Sequence, residues 1–224
     1  MLPEWGRFAA VAAAILGASA ACQLAAAAET SKVMGSIDVA AGEHAGAVST
    51  VMGSIRVHEN AVIDKADTVN GSISLGARAS ATELETVNGS IELAQQAKVS
   101  GKVHSVNGKL TLADGAEVGS GLENVNGSIR VGAAHVAGGI ETVSGGMELG
   151  PNAHIDGGIH VHKSGSSFSF GSEEVPRIVI GPGSVVDGTL QFERTVKLYV
   201  SDKARIGTVQ GASAVKYSGD HPPE

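Results

Sequence analysis

Apolar and polar positions alternate in short segments that recur along the chain with a spacing of about 18 or 19 residues. In the segment Ile91-Glu-Leu93, two apolar side chains flank an acidic one, as in a β-strand with one buried face. A Gly stands two residues before this segment and before its counterparts. Because Gly costs about 1 kcal/mol in a helix interior, the pattern predicts strands and not helices.

The segments belong to one phrase that occurs seven times, with Val87-Asn-Gly-Ser-Ile-Glu-Leu93 as a representative copy. A phrase that repeats in register is typical of a solenoid, in which each turn lies on the one before. The period divides into three blocks of about six residues. We therefore predict an all-β fold: a single-stranded, three-sided parallel β-helix with about 18–19 residues per rung. The copies begin at Val33, Val51, Val69, Val87, Val106, Val125 and Val143.

The phrase also predicts the interior. We expect one core column from its first residue, the Val that opens each copy, and a second column from its fifth residue, which is always aliphatic or Met. The members of the second column are Ile37, Ile55, Ile73, Ile91, Leu110, Ile129 and Met147.

Asn-Gly pairs within the phrase predict the corners between strands. Asn and Gly tolerate a positive φ at the least cost, so we expect that backbone conformation here. The predicted corner residues are Asn70, Gly71, Asn88, Gly89, Asn107, Gly108, Asn126 and Gly127.

The phrase degenerates after its seventh copy. Residues 149–159 and 180–190 resemble one another and predict further turns, and a Ser- and Gly-rich stretch between them predicts an insertion at about 163–177. The predicted β-helix spans 29–211, followed by a C-terminal tail at 212–224. An open solenoid end needs a cap, for which we expect the rings of Phe192, Tyr199 and Tyr217.

Residues 1–28 are typical of an export signal. Arg7 precedes an apolar run of the length of a signal-peptide core, and Ala26-Ala27-Ala28 fits a cleavage site of small residues. The sequence therefore predicts export to the periplasm or cell envelope.

Cys22 offers a second interpretation of the leader. Ser19-Ala20-Ala21-Cys22 resembles a bacterial lipoprotein signal, in which the Cys is acylated and anchors the mature chain, although that motif usually has Leu in place of Ser19. The alternative is that Cys22 is a small residue inside an ordinary leader. We expect contact with a membrane only through the leader or such a lipid anchor.

Charge and cysteine content exclude several classes of protein. The formal net charge is −7, from 16 Lys and Arg against 23 Asp and Glu, whereas nucleic-acid binding relies on a basic surface. A single Cys excludes a disulfide framework. No phosphate- or dinucleotide-binding phrase is present in the sequence, so we predict no cofactor and no nucleic-acid partner.

His160 and His162 are the candidates for a metal site. They are two residues apart on a predicted strand, so both rings should face the same side. A third ligand is needed for most sites, and His154 or Asp156 could supply it from the preceding corner. The alternative is a pair of surface histidines without a ligand.

Two resemblances suggest functions. The Val-Asn-Gly-Ser-Ile phrase, over about 33–160, resembles the adhesin-type β-helix domains of exported bacterial proteins. Residues 178–211 resemble a bactofilin, a polymer-forming cytoskeletal β-helix, through Ile-Gly-x-Gly and x-Gly-x-Leu phrases. The first implies a non-enzymatic envelope protein, adhesin-like or structural, with envelope components as partners. The second implies a filament that assembles head to tail from copies of itself, although bactofilins typically lack an export leader.

A third interpretation is enzymatic. Blocks such as Leu112-Ala-Asp-Gly-Ala-Glu117 resemble hexapeptide-repeat acyltransferases, which form left-handed β-helices and use a His as general base. The histidines of this chain fall at different positions within the blocks. We therefore predict no catalytic residue and keep the acyltransferase as a second alternative.

Overall fold

The computed structural model describes residues 28–163, 175–219 and 221–223. In these residues 29 short strands form three sheets of ten, ten and nine strands, which we name A, B and C. Each full rung contributes one strand to each sheet, and consecutive rungs pair in parallel. The predicted three-sided parallel β-helix is confirmed, with about ten turns.

Sheet A takes the first strand of each rung. Its strands are β1 (Thr30–Met34), β4 (Val48–Met52), β7 (Lys65–Asn70), β10 (Glu83–Asn88), β13 (Val103–Asn107), β16 (Leu122–Asn126), β19 (Ile140–Ser144), β22 (Ile159–Val161), β25 (Leu190–Phe192) and β28 (Val209–Gln210).

Sheet B takes the second strand of each rung. Its strands are β2 (Ile37–Val39), β5 (Ile55–Val57), β8 (Ile73–Leu75), β11 (Ile91–Leu93), β14 (Leu110–Leu112), β17 (Ile129–Val131), β20 (Met147–Leu149), β23 (Arg177–Ile180), β26 (Lys197–Ser201) and β29 (Ala214–Tyr217).

Sheet C takes the third and shortest strand. Its strands are β3 (His44–Ala45), β6 (Val62–Ile63), β9 (Ser80–Ala81), β12 (Lys98–Val99), β15 (Glu117–Val118), β18 (His135–Val136), β21 (His154–Ile155), β24 (Val185–Val186) and β27 (Arg205–Ile206).

One of the two predicted core columns is confirmed and the other is wrong. The column from Ile37 to Met147 is buried in sheet B. The Val column lies on the outer face of sheet A: Val33 is 65 % exposed, and of the seven Val residues only Val143, at 8 %, is buried. In β10 the inward side chains are Leu84 and Thr86, so Val87 faces outward. A corner separates Val87 from Ile91, and the alternation of one strand therefore does not carry over to the next.

From the second copy of the phrase onward, the position before each Val is a buried polar residue. Thr86 is 2 % exposed, and its Oγ1 donates a hydrogen bond to the carbonyl oxygen of Gly71 on the preceding rung, at 3.0 Å. Such bonds let polar side chains lie in an otherwise aliphatic core. The equivalent donors are Thr50 to Gly35 at 3.1 Å, Thr68 to Gly53 at 3.0 Å, Ser105 to Gly89 at 3.3 Å and the Asn124 amide to Gly108 at 3.0 Å.

The corner glycines are required mainly by close approach of consecutive rungs. A Cβ added to Gly89 would lie 1.9 Å from the carbonyl oxygen of Gly71, well inside any contact distance. Of the four predicted corner glycines, Gly127 has a positive φ, of 129°. Gly35, Gly53 and Gly145 of the other copies also have a positive φ. The expected positive φ is wrong for Gly71, Gly89 and Gly108, and also for the four Asn residues, which end strands of sheet A.

Positive φ occurs as well at the corner that leads from sheet B to sheet C. At Asn60 φ is 58°, and the N–H of Ala61 donates to the carbonyl of His58 to close the turn, at 3.3 Å. A positive φ at the third residue of a hydrogen-bonded turn is the pattern of a type II turn. The other residues with this conformation at this corner are Gly42, Arg78, Gln96, Gly115, Asn152 and Gly183.

The β-helix ends later in the chain than predicted. β29 pairs with β26, so the solenoid continues past residue 211 into the predicted tail. Phe192 is buried in the core, and the buried Tyr217 donates its O–H to the carbonyl of Ile180 at 3.3 Å.

Two predicted segments lie largely or wholly outside the described residues. The leader prediction falls on residues 1–27, and most of the predicted insertion falls on 164–174. Its end at 177 is too late, because Arg177 already begins β23, which pairs with β20. The connection from β22 to β23 therefore stands where the other rungs have the short corner between sheets A and B.

We expect Thr86→Val to lower the free energy of unfolding by about 1 kcal/mol or more, because the substitution keeps the side-chain shape but removes the donor to Gly71. Thr142 provides a matched control: it is 2 % exposed at the same position of its rung, and its hydroxyl has no hydrogen-bond partner among the described residues. Thr142→Val should leave stability unchanged or raise it. Urea unfolding followed by circular dichroism compares the two, and equal losses would contradict a role for the hydroxyl bond.

Candidate functional site

The outer face of sheet A carries a column of ionisable side chains, one on each of six consecutive rungs. The parallel register aligns them, and neighbouring strands are about 4.8 Å apart, so residues one period apart in sequence come into contact. The column runs through Asp67, Glu85, His104, Glu123, Glu141 and His160.

At one end of this column, the ammonium of a single Lys contacts three carboxylates. Lys65 Nζ lies 2.8 Å from Glu85 Oε2, 3.2 Å from Glu83 Oε2 and 3.3 Å from Asp67 Oδ1. Burial acts to lower the pKa of Lys65, but its carboxylate partners outweigh burial and raise it. Burial and the neighbouring Glu85 raise the pKa of Asp67 to about 6, against the opposing charge of Lys65.

Further along the column, His104 is largely buried and its Nδ1 lies 3.0 Å from Glu123 Oε2. This hydrogen bond lowers the pKa of Glu123. The two residues are neighbours in the column, so their hydrogen bond joins two consecutive rungs.

The predicted metal candidates His160 and His162 lie together at the other end of the column, with ring centroids 3.7 Å apart. Glu141 Oε2, from the preceding rung, lies 3.0 Å from His162 Nε2. Glu193 Oε1, from the following rung, lies 3.0 Å from His160 Nε2. We call these four residues the sheet A cluster.

Glu193 is also anchored by the backbone. The N–H of Lys163 donates to Glu193 Oε2 at 3.3 Å. This bond and the one with His160 lower the pKa of Glu193, so the carboxylate stays ionised beside the two imidazoles. Imidazole nitrogens and carboxylate oxygens arranged in this way are ligands for zinc-like cations.

The predicted third ligands, His154 and Asp156, lie elsewhere. His154 is on β21 of sheet C, beside His135 of the preceding rung, and the two ring centroids are 5.2 Å apart. Asp156 Oδ1 is 2.9 Å from His135 Nε2 and 3.3 Å from His154 Nε2. Asp187 Oδ2 is 3.2 Å from His154 Nε2. These four residues form a second group, the sheet C cluster.

The sequence analysis did not identify Glu141 and Glu193 of the sheet A cluster, or His135 and Asp187 of the sheet C cluster. Two of these four could have been found from the repeat spacing. Glu141 precedes His160 by one period of 19 residues, as His135 precedes His154. Glu193 is harder to find, because the long connection after β22 separates it from His162 by 31 residues.

The predicted corner Asn residues form a ladder along one edge of sheet A. The amide of Asn88 donates to Asn70 Oδ1 at 2.9 Å, and Asn107 donates to Asn88 and Asn126 to Asn107, each at 3.0 Å. Ser144 continues the ladder through its hydroxyl. The ladder is exposed, and it stabilises the corner while presenting a row of amides to solvent.

The predicted lipidation residue, Cys22, lies outside the described residues. In the part of the chain that the structure covers, no helix is long and apolar enough to span a bilayer. Comparison of the chain with protein-family models, with curated proteins and with solved structures finds no match.

We expect Lys65→Met to lower the free energy of unfolding by about 1–2 kcal/mol at pH 7, between the values for exposed and buried ion pairs. The Lys65 side chain is about one-third exposed, and its loss leaves three carboxylates without their cation. Urea unfolding at several pH values provides the measurement.

The loss should shrink between pH 7 and pH 4.5. The pKa of Asp67 is raised to about 6 in the folded state, so at pH 4.5 this carboxyl is mostly protonated and removal of Lys65 leaves one negative charge fewer without its cation. Lys98→Met is the control, because Lys98 forms a more exposed pair with Glu117, at 2.9 Å, and this pair should contribute at most about 1 kcal/mol. A pH-independent loss in Lys65→Met would count against this account of the cluster.

Proposed function

We propose that the protein is a non-enzymatic, exported β-helical scaffold of the bacterial cell envelope, adhesin-like or structural. The observation that carries this proposal is the uninterrupted stack of about ten rungs with a filled aliphatic core. At about 4.8 Å per rung, the stack is a rod about 45 Å long. The leader and the resemblance to adhesin-type domains supply the exported location.

Because the same surface groups recur on successive rungs, such a rod can bind a partner at several points at once. Sheet A presents the outward Val column, the Asn ladder and the ionisable column side by side, each at the spacing of the rungs. A partner that binds one rung weakly can engage several rungs at once, which raises the overall affinity without a deep pocket. This surface is consistent with adhesion to an extended component of the envelope.

The N-terminal end of the rod argues for a scaffold and against the head-to-tail filament. On β1, Lys32 occupies the position that carries buried Thr50 on the next rung. Its Nζ donates to the carbonyl of Ser36 at 2.8 Å. A charged residue at an inward position is a common means of preventing strands from pairing at an open edge.

Export is tested with the full chain in a bacterial host. We expect the protein in the periplasmic or envelope fraction, with a mature N-terminus after Ala28 or at Cys22 by mass spectrometry, while a chain starting at Glu29 stays in the cytoplasm. An acyl mass that disappears in Cys22→Ala would assign the lipid anchor. Uncleaved full chain in the cytoplasm would contradict export.

The assembly state is tested by light scattering of purified residues 29–224 over a wide concentration range, with electron microscopy of the same samples. We expect a monomer at all concentrations. Lys32→Thr restores the residue of the repeat and should promote concentration-dependent association through the exposed rung end. Fibres of the unmodified chain would favour the bactofilin-like filament, and a discrete trimer would favour the acyltransferase.

A further inference from the structure

We propose that Glu141, His160 and His162 bind a divalent transition-metal ion of the Zn²⁺ type on the outer face of sheet A. One donor atom from each residue lies within 4.8 Å of the others. Two imidazoles and a carboxylate form a ligand set that Zn²⁺ uses with its remaining position open to water or a further ligand. The donors come from two adjacent rungs, so the folded solenoid is what assembles the site.

The repeat changes at this site. The position of His162 is occupied on the preceding rung by Val143, a member of the outward Val column that runs through all seven copies of the phrase. The rung of β22 therefore has His in place of the column's Val and a second His at the neighbouring outward position. Since the seven preceding rungs keep the fold with Val at this position, His162 is not needed for the strand itself.

Carboxylates on both sides hold the imidazoles in place. Glu193 contacts His160 Nε2 and is itself anchored by the backbone N–H of Lys163. A carboxylate that hydrogen-bonds a ligating His orients the ring and increases its basicity. Glu193 thus has the arrangement of an outer-shell partner, while Glu141 approaches His162 from the other side at 3.0 Å.

The sheet A cluster is better enclosed than the sheet C cluster. The side chains of His160 and His162 are 29 % and 21 % exposed, whereas those of His135 and His154 are 43 % and 46 % exposed. Less exposed donors lose less conformational freedom when a cation binds. Both clusters contain two histidines and carboxylates on neighbouring rungs, which makes the sheet C cluster a matched control.

The test is isothermal titration of Zn²⁺ into the purified protein after treatment with a chelator, with Co²⁺ absorption as a spectroscopic readout of the coordination. We expect saturable binding and a visible Co²⁺ band of a low-coordinate nitrogen and oxygen site. His162→Val restores the residue of the repeat and should weaken Zn²⁺ binding by about 100-fold or more, since even outer-shell partners are worth 10- to 100-fold. Glu141→Gln should weaken binding while keeping the side-chain size.

The double variant His135→Ala/His154→Ala should retain the site and the Co²⁺ band. Circular dichroism of each variant confirms that the solenoid is intact, and His162→Val is expected to fold because Val is native at this position on other rungs. Absence of saturable binding, an affinity unchanged in His162→Val, or loss of the Co²⁺ band in the sheet C double variant would each overturn the proposal and leave the sheet A cluster an ordinary hydrogen-bonded network.

Discussion

The structure depends on the contact between consecutive rungs at the corner from sheet A to sheet B. The carbonyl oxygen of Gly71 lies where a side chain on Gly89 would be, at 1.9 Å from a Cβ, and accepts a hydrogen bond from the buried hydroxyl of Thr86. Gly is required at position 89 because the two rungs approach so closely. Thr is required at position 86 because the same approach removes the Gly71 carbonyl from water, and the carbonyl then needs a hydrogen-bond donor. Because the contact recurs from rung to rung, it sets the register in which all later side chains are stacked.

That register is the origin of the surface chemistry. Lys65 meets carboxylates of its own rung and the next, and Glu141, His160 and Glu193 come from three successive rungs. No single segment contains a complete site, because each cluster includes donors that are a full period or more apart in sequence.

The proposed metal site and the scaffold role are compatible. His162 directly follows β22, on the rung whose connection from sheet A to sheet B is lengthened. A cation held across two rungs would tie this region to the preceding stack, as the polar ladders do elsewhere. A rigid rod also presents such a site in a fixed orientation, which a flexible linker could not do.

The sequence by itself determined the architecture: its period, its short alternating segments and its Gly content predicted a three-sided parallel β-helix and the Ile column of the core. Tertiary structure decided the rest. The corner at Asn88 and Gly89 breaks the alternation, so the outward direction of Val87 and the burial of Thr86 follow only from how the rung turns. The partners of His160 and His162, and the last strand at Ala214–Tyr217, likewise depend on which rung lies beside which. Local periodicity specifies a strand, whereas contact between rungs depends on the stacked register of the whole chain.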